Sequence, residues 1–541
     1  MTPFAQPLLL LLLSAGSVGP LLQGQEARAA EPALRSIIDA EVRAGYQRDN
    51  LRPAAPATDA ALLRRLYLDL LGTIPTYEET TQFLNDTSAD KRAKLIDRLL
   101  DDPRHARQQA TVWDLVMFGR NPTDGDLTRR REGFQKWLTD QFARNVAYNQ
   151  WVRELLLAEG YTDEGPAMFY APFAGQPEEA AETVSRLFLG TQLRCARCHD
   201  HPYEQWKQED FYGLAGFFVR LTYVPANRNG KRNYLIAEKS TGEVMFSGSV
   251  KDQKPGQKGK PVPARFLGGA VLEEPPLPAG FKEPDFKTAK TPPVPLFSRK
   301  AQLAGWITAP DNPYLARAVA NRVWAQFMGR GLIHPVDDLG SKKTPSHPEL
   351  LRALTDQLVT HEFDLKWFIR EVVSSETYQR GGTGPATEAA PFGYERGRIR
   401  PLMLEEMIAA MRVATGFDAA EPKSGQVLPG AEYMTPLFGE PTDGRGDFQA
   451  SLGEHLFLNN SGQLRAVIQR RKGNLADVLL SSTAPWEERV ERLFVSVLNR
   501  MPRREEKERF VTYLSAKPDA TPLVEDAIWV LLNCAEFRFN H

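Results

Sequence analysis

Two of the chain's three cysteines and two of its eight histidines fall within residues 195–201, in the stretch Cys195-Ala196-Arg197-Cys198-His199-Asp200-His201-Pro202. A C-x-x-C-H run is the attachment signature for c-type haem. Two thiols three residues apart can add to the two vinyl groups of one porphyrin. The next residue then lies beneath the iron, where its imidazole can be the proximal ligand. On that chemistry Cys195 and Cys198 are the thioether links and His199 the iron ligand, and Asp200 could orient an imidazole from behind. His201 is too close in sequence to reach the opposite face, so Met168, His105 and His347 are the distal candidates. An open distal position favours small-ligand or peroxide chemistry, and a filled one favours electron transfer.

Other chemistries use the same side chains. Cys195, Cys198, His199 and His201 are a set that zinc or another divalent metal accepts, although four ligands in so short a run strain a tetrahedron. A Cys195–Cys198 disulfide is a further reading for an exported chain. A thioredoxin-type role needs a strand running into a helix, and here a helical pattern precedes the loop.

A second group is Arg322, Asp337, Asp338 and His347. Asp and His together could bind a divalent cation or do acid–base work. The competing reading is structural: Ser346-His347-Pro348-Glu349 has the form of a helix start, and Asp337-Asp338 lies in a turn. G-x-S-x-G, phosphate-cradling glycine loops and H-E-x-x-H are absent from the sequence, so nothing points to those hydrolase, nucleotide or zincin chemistries.

These groups must be positioned by the rest of a chain of 541 residues, 42% apolar and 25% charged, the balance of a globular protein. The formal net charge of −1 gives no general electrostatic case for nucleic acid or an anionic membrane as partner. Lys251, Lys254, Lys258 and Lys260 form a local basic loop rich in Gly and Pro, read as a solvated tip. Residues 1–29 have the form of a signal peptide, with an apolar core at 8–13 and Ala27-Arg28-Ala29 as the cleavage site. That run is too short to span a bilayer, and no later stretch is long and apolar enough. The expected location is periplasmic or extracellular, the side on which known bacterial cytochromes c acquire haem. An envelope or redox protein is the expected partner. Cys534 reads as a small buried hydrophobe.

The pattern predicts a mainly α protein with two helical domains, 30–219 and 296–541. Between them lie a small β-rich insertion at 220–272 and a Pro-rich linker at 273–295. Helical periodicity covers 35–48 and 62–71, where Gly72 stops it. Pro75 and a capping-box pair, Thr76 and Glu79, start the next helix. A helix running to about Gly190 leads into the cysteine loop, and a short aromatic helix at 209–219 follows. Trp206, Phe211, Tyr212, Phe217 and Phe218 are expected to be mostly core beside the loop. Met403, Met407 and Met411 form a stripe that also reads as core. Arg65-Leu66-Tyr67, Pro75, Glu78-Glu79 and Phe83 recur at a constant offset as Arg492-Leu493-Phe494, Pro502, Glu505-Glu506 and Phe510. That echo suggests two related helical hairpins, packed together, or convergence on a good helix start. Arg503 stands where the first copy has Thr76.

Several of these residues carry a family resemblance. Residues 63–70 with Gly72 and Pro75, then Phe188-Leu189-Gly190 leading to Cys195–Pro202, then Trp206 and Phe211-Tyr212-Gly213, resemble the planctomycete cytochrome-like family known as domain of unknown function 1549. Asp311-Asn312-Pro313, Asn321-Arg322-Val323-Trp324, Gly329-Arg330-Gly331-Leu332, Pro335-Val336-Asp337-Asp338 and residues 346–350 resemble its usual partner, domain of unknown function 1553. Leu531-Leu532-Asn533, Glu536-Phe537 and Asn540-His541 are similar to that partner's end. The resemblance implies a secreted bacterial protein with a c-type haem motif, and it implies no particular reaction. Because C-x-x-C-H occurs once, the haem count it implies is at most one. The alternative function is a non-haem metal-binding or structural protein of the cell envelope, acting on or beside extracellular polysaccharide.

Overall fold

The computed structural model describes residues 32–120, 131–228, 230–246, 259–286, 291–292, 294–340, 342–382, 392–417, 434, 437 and 452–541. The expected signal peptide and Lys251, Lys254 and Lys258 lie outside them.

The fold is mainly α, as the periodicity predicts. Helix Asp59–Leu71 starts where the Thr58 hydroxyl accepts the Ala61 N–H, and stops at Gly72, whose φ of 70° is the left-handed cap that glycine tolerates. It is buried on every side, including Arg64, Arg65 and Asp69, so its polar groups must find partners inside the protein. Arg65 donates to the carbonyls of Tyr378 and Arg380 at 2.6 and 2.8 Å. Arg64 donates to Asn499 Oδ1 and to the Phe537 carbonyl, both at 2.8 Å. The following helix, Tyr77–Asn85, carries the full capping box: Thr76 Oγ1 accepts from Glu79 N at 3.1 Å, and Glu79 Oε2 accepts from Thr76 N at 2.8 Å.

The β-rich part is small. Strands Leu221–Arg228 and Lys231–Glu238 form an antiparallel hairpin, and Gly160–Tyr161 pairs with its second strand. Val244–Phe246 pairs with Lys260–Val262. Glu238, at the end of the hairpin, is tied to the segment beyond the Pro-rich stretch. Its carboxylate accepts the Lys300 N–H at 3.1 Å and the Ser298 hydroxyl at 2.5 Å.

Buried apolar side chains fall into two clusters. One is continuous from Leu34 to Tyr394 and so includes helices on both sides of the β insertion. Phe211, Phe217, Phe218 and Trp206 belong to it, and Tyr212 packs against it. The other runs from Leu402 to Phe537 and takes Leu68 and Ile74 from the early helices. Met407 and Met411 are buried in this second cluster, and Cys534 packs at its margin.

The two echoing hairpins are packed together. Asn499 caps helix Trp486–Leu498 with φ 58°, as Gly72 caps helix Asp59–Leu71. Its side chain reaches across to the first copy, donating to the Pro75 carbonyl at 3.0 Å while accepting from Arg64. The Arg492 guanidinium lies 4.3 Å from the centre of the Tyr77 ring.

Candidate functional site

Helix Pro177–Phe188 delivers the chain to the cysteine loop, and Gly190 makes the exit turn with φ 58°. A side chain at 190 would sit within 2.3 Å of Leu339 Cδ1, so glycine is required there for space as well as for backbone conformation. A short 3-10 turn, Arg194–Arg197, then carries the first cysteine. Leu193 and Ala196 are fully buried, whereas Cys195, Cys198 and His199 are exposed. In a 3-10 turn residues three apart share a face, so burying Leu193 and Ala196 leaves Cys195 and Cys198 on the outward one. Both are free, so the disulfide reading does not describe this loop.

The turn is pinned from below. The Arg197 carbonyl accepts the Tyr212 hydroxyl at 3.1 Å and Gln208 Nε2 at 3.3 Å, and the Arg197 guanidinium pairs with Glu179 at 2.6 Å. Asp200 offers two groups that could orient an imidazole, its carboxylate and its backbone carbonyl. The carboxylate accepts the Gln208 N–H at 3.1 Å, at the start of helix Gln208–Ala215. The backbone carbonyl of Asp200 does the orienting, lying 2.8 Å from His199 Nδ1. A carbonyl can only accept, so Nδ1 carries the proton and Nε2 holds the free lone pair. This is the tautomer a metal-ligating histidine uses, with its other nitrogen fixed by a carbonyl.

His201 has the opposite arrangement. Its Nδ1 lies 3.3 Å from the Tyr203 N–H and 3.0 Å from the Glu204 N–H, and both can only donate. Its neutral ring therefore carries the proton on Nε2, the atom a metal would need. His201 staples residues 201–204, and its own N–H donates to the Trp206 carbonyl at 2.8 Å. Among the described residues no group of three or more His, Cys, Asp or Glu is gathered as a metal site. Cys195, Cys198, His199 and His201 thus do not form a ready-made zinc tetrahedron.

The three distal candidates lie in the interior. Met168 is 2% exposed within the first cluster. His105 Nδ1 is held by the Leu70 carbonyl at 3.0 Å. His347 packs against Gly45 and the Tyr394 ring. Burial pushes both histidines down to about 4, so they stay neutral. All three are taken up in core packing, whereas both thiols face solvent.

Each member of the second candidate group has its own surroundings. Asp338 pairs with Lys343 at 2.6 Å. Arg322 lines an interior cavity with Asp69. Asp337 is fully buried and accepts from Gln192 Nε2 at 3.0 Å and Arg186 Nη1 at 3.3 Å. The next residues extend this contact. Leu339 N donates to the Gly190 carbonyl at 2.7 Å, and a side chain on Gly340 would meet Glu204 Oε1. Residues 337–340 are therefore a buttress beneath the cysteine loop, a role that residue types alone did not reveal.

That buttress joins two recognisable regions. Residues 37–223 match the family described as a protein of unknown function (DUF1549), and residues 299–434 match a second described as a protein of unknown function (DUF1553). The chain carries a DUF1549 region followed by a DUF1553 region. The cysteine loop belongs to the DUF1549 region and its buttress to the DUF1553 region. No curated protein matches the chain, and no solved structure does. No helix among the described residues is long and apolar enough to cross a membrane.

Proposed function

We propose that this is an exported protein carrying one haem c on residues 195–199 and serving periplasmic or extracellular redox chemistry or electron transfer. The observation that carries the reading is the pairing of two outward thiols with an adjacent imidazole whose Nε2 is kept free by the Asp200 carbonyl. The residues fit the group. Cys195 and Cys198 would hold it by thioether bonds, His199 would hold the iron, and buried Leu193 and Ala196 anchor the turn from beneath. Bound there, haem supplies one-electron chemistry and, with an open sixth position, binding of small ligands.

The chain's own contribution is to hold that imidazole in one tautomer and to keep the turn rigid against the DUF1553 buttress. Met168, His105 and His347 are taken up in core packing, so a haem held on this loop would leave room for a small ligand unless another group came to it. Adding cyanide and carbon monoxide to the purified protein separates these cases: an open position shifts the Soret band at once, and a filled one does not. The proposal itself is tested by the intact mass of protein made in a host competent for haem attachment. One haem per chain is expected, and an unmodified mass there would refute it.

A further inference from the structure

A cavity of about 100 Å³ lies where helix Leu404–Thr415 of the second cluster meets helices Pro103–Phe118 and Leu315–Met328 of the first. It is distinct from the cysteine loop, and its walls come from both the DUF1549 and DUF1553 regions. Much of the wall is apolar, with Val112, Trp113 and Val116 on one side and Met403 on another.

The charged groups of the wall are already engaged. Arg400 forms a fork on Glu406 at 2.7 and 2.8 Å and reaches Asp69 Oδ1 at 2.8 Å. Asp69 also accepts from the Tyr378 hydroxyl and from Asn540 Nδ2, each at 2.8 Å. Arg322 and Arg398 have partners of their own. An ion entering here would give up its hydration without meeting a charge that lacks a partner, so the cavity suits a neutral molecule.

The amides of the wall differ from the charged groups. Gln108 lines the cavity and is only 7% exposed, yet its side chain makes no hydrogen bond among the described residues. Its Oε1 lies over Gly72, where the missing Cβ leaves it room. Gln326 lines the same cavity, and its Nε2 donates to Gln109 Oε1 over a long 3.4 Å. Buried amides normally find partners for both donor and acceptor. A carboxamide answers both at once, its N–H donating to the Gln108 carbonyl while its own carbonyl accepts from Gln108 Nε2. An apolar wall with a few convergent polar groups is the usual make-up of a small-molecule site. An apolar cavity of about 150 Å³ takes benzene, so this one has room for about five heavy atoms.

We infer that this cavity binds a short-chain neutral carboxamide, its head group on Gln108 and its hydrocarbon toward Val112, Val116 and Met403. Because the walls come from both regions, occupancy fastens one to the other.

The test is calorimetric titration of the full chain with propionamide and, separately, with sodium propionate, which has the same shape and carries a charge. Propionamide is expected to bind with a Kd of about 3 mM or tighter, and propionate at least about tenfold more weakly. Gln108→Leu removes the amide at similar volume and should weaken propionamide about tenfold. The side chain has no partner to lose, so the variant is expected to fold. Val116→Phe fills the apolar side without touching Gln108, should abolish propionamide binding, and covers the case in which the Gln108 variant does not fold. No heat from propionamide up to about 30 mM, propionate binding as tightly as the amide, or undiminished propionamide binding by either variant would each overturn the inference.

Discussion

His199 donates from Nδ1 to the Asp200 carbonyl at 2.8 Å, whereas His201 accepts at Nδ1 from the Glu204 N–H at 3.0 Å. One sequence run thus holds a histidine prepared to bind a metal through Nε2 and a histidine used up in shaping the turn.

The two histidines should therefore fail differently. In protein made with haem attached, His199→Ala should strip the iron of its proximal ligand and shift or abolish the Soret band. His201→Asn, whose side-chain oxygen can still accept from the turn, should leave the band in place and lower stability by about 1 kcal/mol. Absorbance spectra with urea melts decide this, and a Soret band lost only in the His201 variant would reverse the assignment.

The buttress makes a second prediction. Asp337→Ala removes a buried carboxylate and leaves Arg186 and Gln192 without that acceptor, which should destabilise the protein by about 3 kcal/mol or more. Asp338→Ala breaks only the partly exposed pair with Lys343 and should stay within about 1 kcal/mol. Equal urea midpoints for the two variants would remove Asp337 from its anchoring role.

The buried histidines contribute to the response to acid. His105 and His347 are pushed down to about 4 in the fold, against an unfolded value of 6.5. Between those values the unfolded chain binds more protons at these two groups, so their contribution to stability falls as pH drops from about 6.5 toward 4. Each can contribute up to about 2 kcal/mol of that loss by pH ~5. Urea midpoints at pH ~7 and ~5 should show the fall in the wild type, and His105→Gln should reduce it. An unchanged pH dependence in that variant would place the acid sensitivity elsewhere.

Asn499 tests the pairing of the hairpins. Asn499→Ala loses the bonds to Pro75 and Arg64 and strains a backbone at φ 58°, for a combined loss of about 3 kcal/mol. Asn499→Gly loses the same bonds without the strain and should recover about 1 kcal/mol of it. Chemical denaturation of both variants gives the comparison.

What the sequence revealed depended on range. The capping box at Thr76 and Glu79, the stop at Gly72 and the C-x-x-C-H spacing are short-range features, and the residues that make them lie within one turn of chain. The repeated hairpins were legible because the same short signals recur. Burial was not legible from residue type, so Met168, His105 and His347 looked as available as any other ligands. The link from Asp337 to Gln192 spans 145 residues, and that from Arg400 to Asp69 spans 331. No local pattern encodes either, so Asp337 read as half of an acidic pair rather than as the floor of the cysteine loop.

The most direct measurement is a pyridine haemochrome spectrum of the denatured full chain, purified from a bacterial host that attaches haem to exported proteins, beside a Cys195→Ser, Cys198→Ser double variant. The account predicts one covalently held haem per wild-type chain and none in the variant. A colourless wild-type protein from that host, with both thiols still open to a thiol reagent, would contradict it.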